Sequence, residues 1–467
     1  MKQKNKNFLY NIVYQLFIFI IPMVITPYIS RILGADNIGT YSYSYSIVYY
    51  FMLATLLGIN NYGSRNIARL NKDKEKMSEE FCSIYYLQLI IGVIMLVVYN
   101  MVVLLFINNN KYIFILQNIF LISAILDINW FYFGIEKFKI TISRNIIIKL
   151  FSFILIFIFV KESTDLWKYT LIMSISTLIS QLYLWFLLKK YNIKMKKLSL
   201  KRIWINFKPC LILFIPVIAY SIYRVMDKTM LGAISGMTQL GYYENAEKVI
   251  NIPISIITAL GTVMLPYMSK IDSEDKEIFD KNISESFKLC FVFVMPMIFG
   301  LLAIAKDFSI IFFGTEFADS GNIIKLLLPT ILFSSVANVI RTNYLIPKKQ
   351  DRTYVISTIL GAILNFVFNI ILIPKYGYYG ACIGTIIAEF SVMLYQVIKV
   401  KKEIDFKNIL KILLNCLIKS MVMFIIIIII GLFIKDMSYR IITQVIVACL
   451  IYFILNYKYI IHDFLGK

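Results

Sequence analysis

Residues Phe8–Ile29 read FLYNIVYQLFIFIIPMVITPYI, preceded by Lys2, Lys4 and Lys6. A basic start before an apolar run is also how a secretory signal peptide begins. This run is too long for one, lacks a small-residue cleavage site and continues directly into another apolar stretch, so it reads as a retained membrane helix. The same length recurs downstream. Blocks of roughly 20 apolar residues, the length that crosses a bilayer core, follow one another along the whole chain. Of the 467 residues 59% are hydrophobic and 16% charged, with a mean hydropathy of +0.75. A soluble domain is nearer half apolar and a quarter charged, so lipid is the main solvent here.

The blocks predict an all-α integral membrane protein of about fourteen transmembrane helices. The spans fall at 8–30, 38–59, 81–107, 112–133, 146–160, 166–188, 208–232, 242–267, 287–313, 322–345, 353–374, 377–398, 409–434 and 440–461. The runs are continuous and not alternating, which excludes a transmembrane strand barrel. Span five is short, and span ten carries Lys325 and Arg341.

The net charge of +21 gives the orientation. With the N-terminus inside, the inner segments hold most of the 48 Lys and Arg, in the groups Arg65–Lys76, Lys137–Lys149, Lys189–Lys208, Lys270–Lys288, Lys348–Arg352 and Lys399–Lys411. The outer loops hold only Arg31, Lys111, Lys161, Lys168, Lys306, Lys375, Lys435 and Arg440. That asymmetry predicts both termini on the cytoplasmic side of a cytoplasmic-membrane protein. It also accounts for the positive charge without nucleic acid as a partner, since no folded basic domain exists to carry such binding.

The longest loop, around 189–207, is basic and central, and it reads as a hinge between two halves. Ile21-Pro22, Leu33-Gly34 and Gly39-Thr40-Tyr41 near span one have counterparts in Ile215-Pro216, Leu231-Gly232 and Gly241-Tyr242-Tyr243 near span seven. Two related six-helix bundles, 1–195 and 196–405, with two added helices in 406–467, follow from this pairing. That is a common transporter plan, with the substrate between the halves.

Charge inside a span is costly and marks function or pairing. The sharpest cluster is Arg224, Asp227 and Lys228 in span seven. Their three- and four-residue spacing puts them on or beside one helix face. Two readings stand: an anion site facing a wet cavity, or an Arg224–Asp227 salt bridge that only fixes packing. Span one carries Pro22 and Pro27 and ends in Arg31, and span seven carries Pro216; prolines here make either hinges or static kinks. Arg341 at the inner end of span ten either lines the cavity or snorkels to the headgroups. Snorkelling is also the reading for Arg65 and Arg144, placed at inner helix ends. Asp127 and Glu389 lie at membrane depth, where a carboxyl can couple transport to a proton or sodium gradient or serve as a buried partner.

Enzymatic signatures are missing. No Gly-rich nucleotide loop, Gly-x-Ser-x-Gly or His-Glu-x-x-His occurs, and the only histidine is His462. The six cysteines are scattered singly, without metal or disulfide spacing. No enzyme activity and no cofactor are expected.

Several short motifs, in order, are similar to one family. They are Tyr28-Ile29-Ser30-Arg31-Ile32-Leu33-Gly34, Tyr62-Gly63-Ser64-Arg65-Asn66-Ile67-Ala68 and Trp130-Phe131-Tyr132-Phe133-Gly134-Ile135-Glu136-Lys137-Phe138. Asp227-Lys228-Thr229-Met230-Leu231-Gly232 and the series Asn365, Asn369, Pro374, Gly377 and Gly380-Ala381 complete the set. The chain resembles the Wzx-type polysaccharide repeat-unit flippases of the multidrug/oligosaccharidyl-lipid/polysaccharide exporter superfamily, over nearly its whole length. The resemblance implies two six-helix bundles around a cationic cavity and two extra helices. It also implies an undecaprenyl-diphosphate-linked oligosaccharide as substrate, turned to the outer leaflet for capsule, O-antigen or exopolysaccharide synthesis. Membrane lipid and the polysaccharide polymerase and chain-length machinery are the implied partners. Arg31, Arg224 and Lys228 match the cationic cavity, with Asp227 beside them. A same-fold exporter of a peptidoglycan or teichoic precursor or of a drug, and a membrane glycan polymerase, are the alternatives. The cavity charge argues against a cation exporter, and the want of a large external loop argues against a polymerase.

The topology has a direct test. In a background without the native cysteines, single cysteines at positions 197 and 402 should resist an impermeant thiol reagent added outside. Cysteines at positions 168 and 435 should react with it. Protection of position 435 would remove spans thirteen and fourteen from the map.

Overall fold

The computed structural model describes residues 2–70, 73–268 and 276–457, and their side chains apart from those of residues 2–22, 216, 219, 220, 222, 223, 263, 266, 267, 276 and 277. Pro22, Pro216 and His462 therefore lie outside the described side chains. Among the described residues there is no strand. The chain packs as two compact units, Met1–Gly232 and Ala233–Lys467.

The first unit holds α1 (Lys2–Leu56), α2 (Ile59–Arg69), α3 (Lys74–Phe106), α4 (Lys111–Ile125), α5 (Asn129–Gly134), α6 (Phe138–Phe159), α7 (Leu166–Leu188), α8 (Leu200–Trp204) and α9 (Phe207–Ser235). The second holds α10 (Met237–Met268), α11 (Lys276–Phe313), α12 (Ala318–Ile340), α13 (Asp351–Tyr376), α14 (Tyr378–Val400), α15 (Phe406–Phe433) and α16 (Met437–Leu455). Among the described residues every predicted span lies mainly on helix, with interruptions at 57–58 in span two and at 126–128 in span four. Among the described residues, 11 stretches are long and apolar enough to cross a membrane. The multi-pass membrane reading holds.

Helix limits differ from the apolar limits where helices carry charge. α6 begins at Phe138, well before the predicted 146, because Lys139 and Arg144 lie inside the helix and not in a loop. α3 begins at Lys74, capped by Asp73, whose carboxylate accepts from Lys76 N at 3.1 Å.

Close helix approach in the first unit depends on glycine. A Cβ on Gly63 of α2 would stand 2.6 Å from the Trp130 ring, and one on Gly134 would stand 2.7 Å from Ile67. α2 and α5 therefore lock together through the Trp130-Phe131-Tyr132 motif, whose three side chains are fully buried. Gly58 takes a left-handed φ of 71° at the start of α2. A Cβ there would meet the α9 backbone at Cys210 O, 2.8 Å away.

The membrane span of α4 and α5 breaks at residues 126–128, freeing carbonyls that hydrocarbon cannot satisfy. Gln88 of α3 meets them. Its amide nitrogen donates to Ala124 O at 2.8 Å, Ile125 O at 3.2 Å and Asp127 O at 2.9 Å, and its oxygen accepts from Trp130 Nε1 at 3.2 Å. Asp127 steadies the restart, accepting from Asn129 N at 2.8 Å and Asn129 Nδ2 at 2.7 Å.

Arg144 fixes α6 to the same junction. It is buried, where a snorkelling arginine was expected. Its guanidinium donates to Ser180 O at 2.9 Å, Asn129 Oδ1 at 3.1 Å and Asn145 Oδ1 at 2.9 Å.

The central basic loop, read from charge as a hinge, is bound along α3. Acidic residues in the first turns of α3 give its cations partners. Arg202 pairs with Glu80 at 2.6 Å and Glu79 at 3.2 Å, and Lys196 pairs with Glu75 at 3.0 Å. Asn206 donates to Ser83 Oγ at 2.7 Å and accepts from Tyr62 Oη at 2.8 Å.

In the second unit, α13 and α14 form a tight hairpin. Gly377 turns it at a φ of 56°, and the Tyr378 N–H behind it donates to Gln239 Oε1 at 3.0 Å. A Cβ on Gly380 would stand 2.4 Å from the Leu372 backbone. The added helices α15 and α16 pack on α11. Arg440 of α16 pairs there with Asp307 at 3.2 Å, and Gln444 donates to Ile427 O of α15 at 2.9 Å.

The Arg144 network has a measurable weight. Arg144→Ala removes the guanidinium from Ser180 O, Asn129 Oδ1 and Asn145 Oδ1, of which Asn145 keeps the Ser180 hydroxyl as a donor, at a cost of about 3 kcal/mol. The thermal midpoint of the detergent-purified protein should fall by several degrees. An unchanged midpoint would show that water or a neighbouring side chain replaces the guanidinium.

Candidate functional site

The first unit carries four of the candidate substrate-binding residues. Arg31 lies on α1, exposed at the end of the apolar stretch that begins at Phe8 and five residues before Asp36. Three residues later the helix breaks at Gly34, with φ 75° and ψ 173°, a backbone shape open to glycine and strained for other residues. Pro27 sits inside the continuous helical run before that break. The bend that shapes the Arg31 end of α1 is thus at Gly34, which the sequence did not single out as a hinge.

On α9 the charges grade from outside to inside. Arg224 is exposed, Lys228 is half-buried and Asp227 is buried at 6% exposure. Each of Arg31, Arg224, Asp227 and Lys228 has an interaction partner in the fold. The register of α9 against α1 is tied by Tyr50 Oη and Thr229 Oγ1, 3.2 Å apart, one residue beyond Lys228. A buried carboxylate beside two cations on one face leaves net positive charge toward the exposed end. That arrangement suits a phosphate ester better than a cation.

Arg341 belongs to the second unit. It opens a π-helical turn, Arg341–Leu345, at the end of α12. Pro347 follows within that turn's reach and has no N–H to donate, so the backbone shifts register. The half-buried guanidinium stacks over Tyr354, 5.4 Å from its ring centre, with Nη1 at 3.4 Å from the Tyr354 hydroxyl. Its Nε is buried without a hydrogen-bond partner among the described residues.

The two carboxyls read as coupling candidates sit in different settings. Asp127 precedes Ile128, the N-cap of α5, and its carboxylate accepts from Asn129, which links it to Arg144. Glu389 of α14 is half-buried and accepts a hydrogen bond from Ser334 Oγ of α12. Gln88 and Arg144 were missed as organisers of the first unit. Nothing in their local sequence marks them, because every partner but one lies on another helix.

A family model described as "Polysaccharide biosynthesis protein" matches residues 5–272. A protein of Shigella dysenteriae named "Putative O-antigen transporter" is 24% identical over 388 residues, 82% of this chain and 96% of its own length. The capsular polysaccharide biosynthesis protein CapF of Staphylococcus aureus is 24% identical over 404 residues, 84% of this chain and 97% of its own length. Among solved structures, the lipid II flippase MurJ in an inward closed conformation matches with a TM-score of 0.77 at 19% identity, covering 98% of this chain and 100% of that one. An inward-facing multidrug resistance MATE family transporter of the MOP superfamily matches at 0.62 and 12% identity, over 84% of this chain and 98% of that one. At such identities the structures speak for the fold alone, and the fold is the one that the resemblance implied. The family match spans more than half of the sequence, and this chain belongs to the polysaccharide biosynthesis protein family.

Proposed function

We propose that this protein turns lipid-linked oligosaccharide repeat units from the inner to the outer leaflet of the cytoplasmic membrane. The observation that carries the proposal is cationic side chains held in apolar helices of a family member with a flippase-like fold. Relatives matched over most of their length bear names in O-antigen transport and capsular polysaccharide biosynthesis. The substrate is read as an undecaprenyl-diphosphate-linked oligosaccharide, the class that the sequence resemblance implies.

The diphosphate is the feature shared by all such substrates. It needs positive partners in a partly desolvated site, and Arg31, Arg224 and Lys228 are assigned that role; Arg341 is a further substrate-binding candidate. Asp227 orients Arg224 and limits how tightly the anion is held. Pro22, Pro27 and Pro216 are assigned to the bending of spans one and seven during alternating access, together with the Gly34 break. Both termini face the cytoplasm on the charge pattern. The protein acts as a transporter without an enzymatic step. An ion gradient, the membrane potential or the substrate gradient itself supplies the energy; if protons or sodium are coupled, Glu389 is the better placed of the two carboxyls to respond, because Asp127 is engaged by Asn129. The three-part organisation 1–195, 196–405 and 406–467 belongs to the same proposal, as do handover contacts with the polymerase and chain-length machinery.

Arg224→Ala should cut appearance of lipid-linked oligosaccharide in the outer leaflet by about 100-fold, because it removes a bidentate donor and leaves buried Asp227 one cation short. Arg224→Lys should recover part of the rate, since an ammonium cannot hold two oxygens in a plane. Membrane abundance of each variant is measured in parallel. Normal flipping by both Arg224→Ala and Lys228→Ala would reduce the cluster to a packing salt bridge.

A further inference from the structure

The first unit contains a cleft of about 580 Å³ between α2, α5 and α6, away from the charged face of α9. Phe133, Phe138 and Ile142 form its apolar wall. The two rings stack at 5.7 Å and are 38% and 49% exposed, so the wall faces outward from the unit. Its floor is rigid, because α2 and α5 meet there through Gly63 and Gly134 with no space for a Cβ.

The polar lining has one uncommitted charge. Ser64 Oγ donates to Asn60 O at 2.7 Å and Thr141 Oγ1 to Phe138 O at 2.9 Å, so both hydroxyl protons are used within their own helices. The Asn145 side-chain oxygen is held by Arg144. Arg65 is exposed and, among the described residues, has no hydrogen-bond or ion-pair partner. No carboxylate lines the cleft. Exposed Glu136, Lys137 and Lys139 adjoin Phe138 in sequence and do not line the cleft.

A lone guanidinium beside an open aromatic and aliphatic wall, at the charged end of membrane spans, has the polarity of a lipid at the headgroup boundary. We propose that this cleft binds one anionic glycerophospholipid, with the headgroup phosphate on Arg65 and the acyl chain along Phe133, Phe138 and Ile142. The lining's single charge is the positive Arg65, with no carboxylate beside it, which selects against a headgroup ending in an ammonium. This site is independent of the substrate assignment, because it makes no use of the α9 cluster.

The test uses the full-length protein, delipidated in detergent and titrated separately with phosphatidylglycerol, phosphatidylcholine and inorganic phosphate. Native mass spectrometry counts bound lipid and the thermal midpoint reports stabilisation. Phosphatidylglycerol should bind and stabilise, while phosphatidylcholine and inorganic phosphate should do neither at equal concentration. Arg65→Gln should weaken phosphatidylglycerol binding about tenfold, and Arg65→Lys should weaken it less. Ile142→Trp, which fills the wall and keeps every charge, should also weaken it. The proposal is overturned if phosphatidylglycerol binds Arg65→Gln as it binds the native protein. Equal binding of phosphatidylcholine, or an equal effect of inorganic phosphate, also overturns it. Should Arg65→Gln not fold, unchanged phosphatidylglycerol affinity in Ile142→Trp overturns the proposal instead.

Discussion

Hydrocarbon offers no donor to a carbonyl, so a helix that breaks inside a bilayer must bring its own. In the first unit that donor is the amide of Gln88, which reaches three carbonyls at the α4–α5 break. With the break satisfied, the chain can turn Trp130 inward against Gly63 and set α2 in place. Arg144 then ties α6 and α7 to the same junction through Asn129 and Ser180. Loss of the Gln88 amide would expose several unpaired groups at once, and the packing of α2 to α7 would lose its common point. The second unit also uses glutamine amides, in both directions: Gln239 Oε1 accepts the Tyr378 N–H at the α13–α14 turn, and Gln444 donates to a carbonyl of α15.

The distribution of charge separates structure from function. Arg144 is spent on helix junctions, Arg202 on the loop along α3, and Arg440 on Asp307. Arg341 rests on Tyr354. Arg31 and Arg224 differ from these in being exposed on apolar helices, with Lys228 half-buried beside a buried Asp227. Keeping a charge exposed on such a helix is tolerable only where water or an anion reaches it. A lipid diphosphate brings its own negative charge and gains from leaving water only if the site is already cationic.

The helical plan was legible because lipid imposes a length and a polarity on every span. Motifs that carried the family resemblance also have visible causes: Gly63 and Gly134 permit α2 to touch α5, and Gly380 permits α14 to touch α13. Charged helix ends were misread wherever a cation is buried. Arg144 looks like a snorkelling residue in sequence, since its partners Asn129 and Ser180 lie on other helices. The loop at 189–207 reads as a hinge from its charge, and its packing on α3 has no local signal, since Glu79 and Glu80, which hold Arg202, are more than a hundred residues away. Spacing alone placed Arg224, Asp227 and Lys228 on or beside one face. Their graded burial depends on neighbouring helices and had no signal in the chain itself.

The central claim is that the positive face of α1 and α9 recognises the diphosphate and not the sugar. Purified protein reconstituted in vesicles can be given two fluorescent lipid-linked oligosaccharides with one sugar and one polyprenyl chain, joined by a diphosphate in one and by a neutral ether in the other. Quenching of the outer leaflet reports the flipping rate of each. The diphosphate-linked lipid should cross much faster, with the difference shrinking as salt rises. Equal rates for the two lipids would contradict the account.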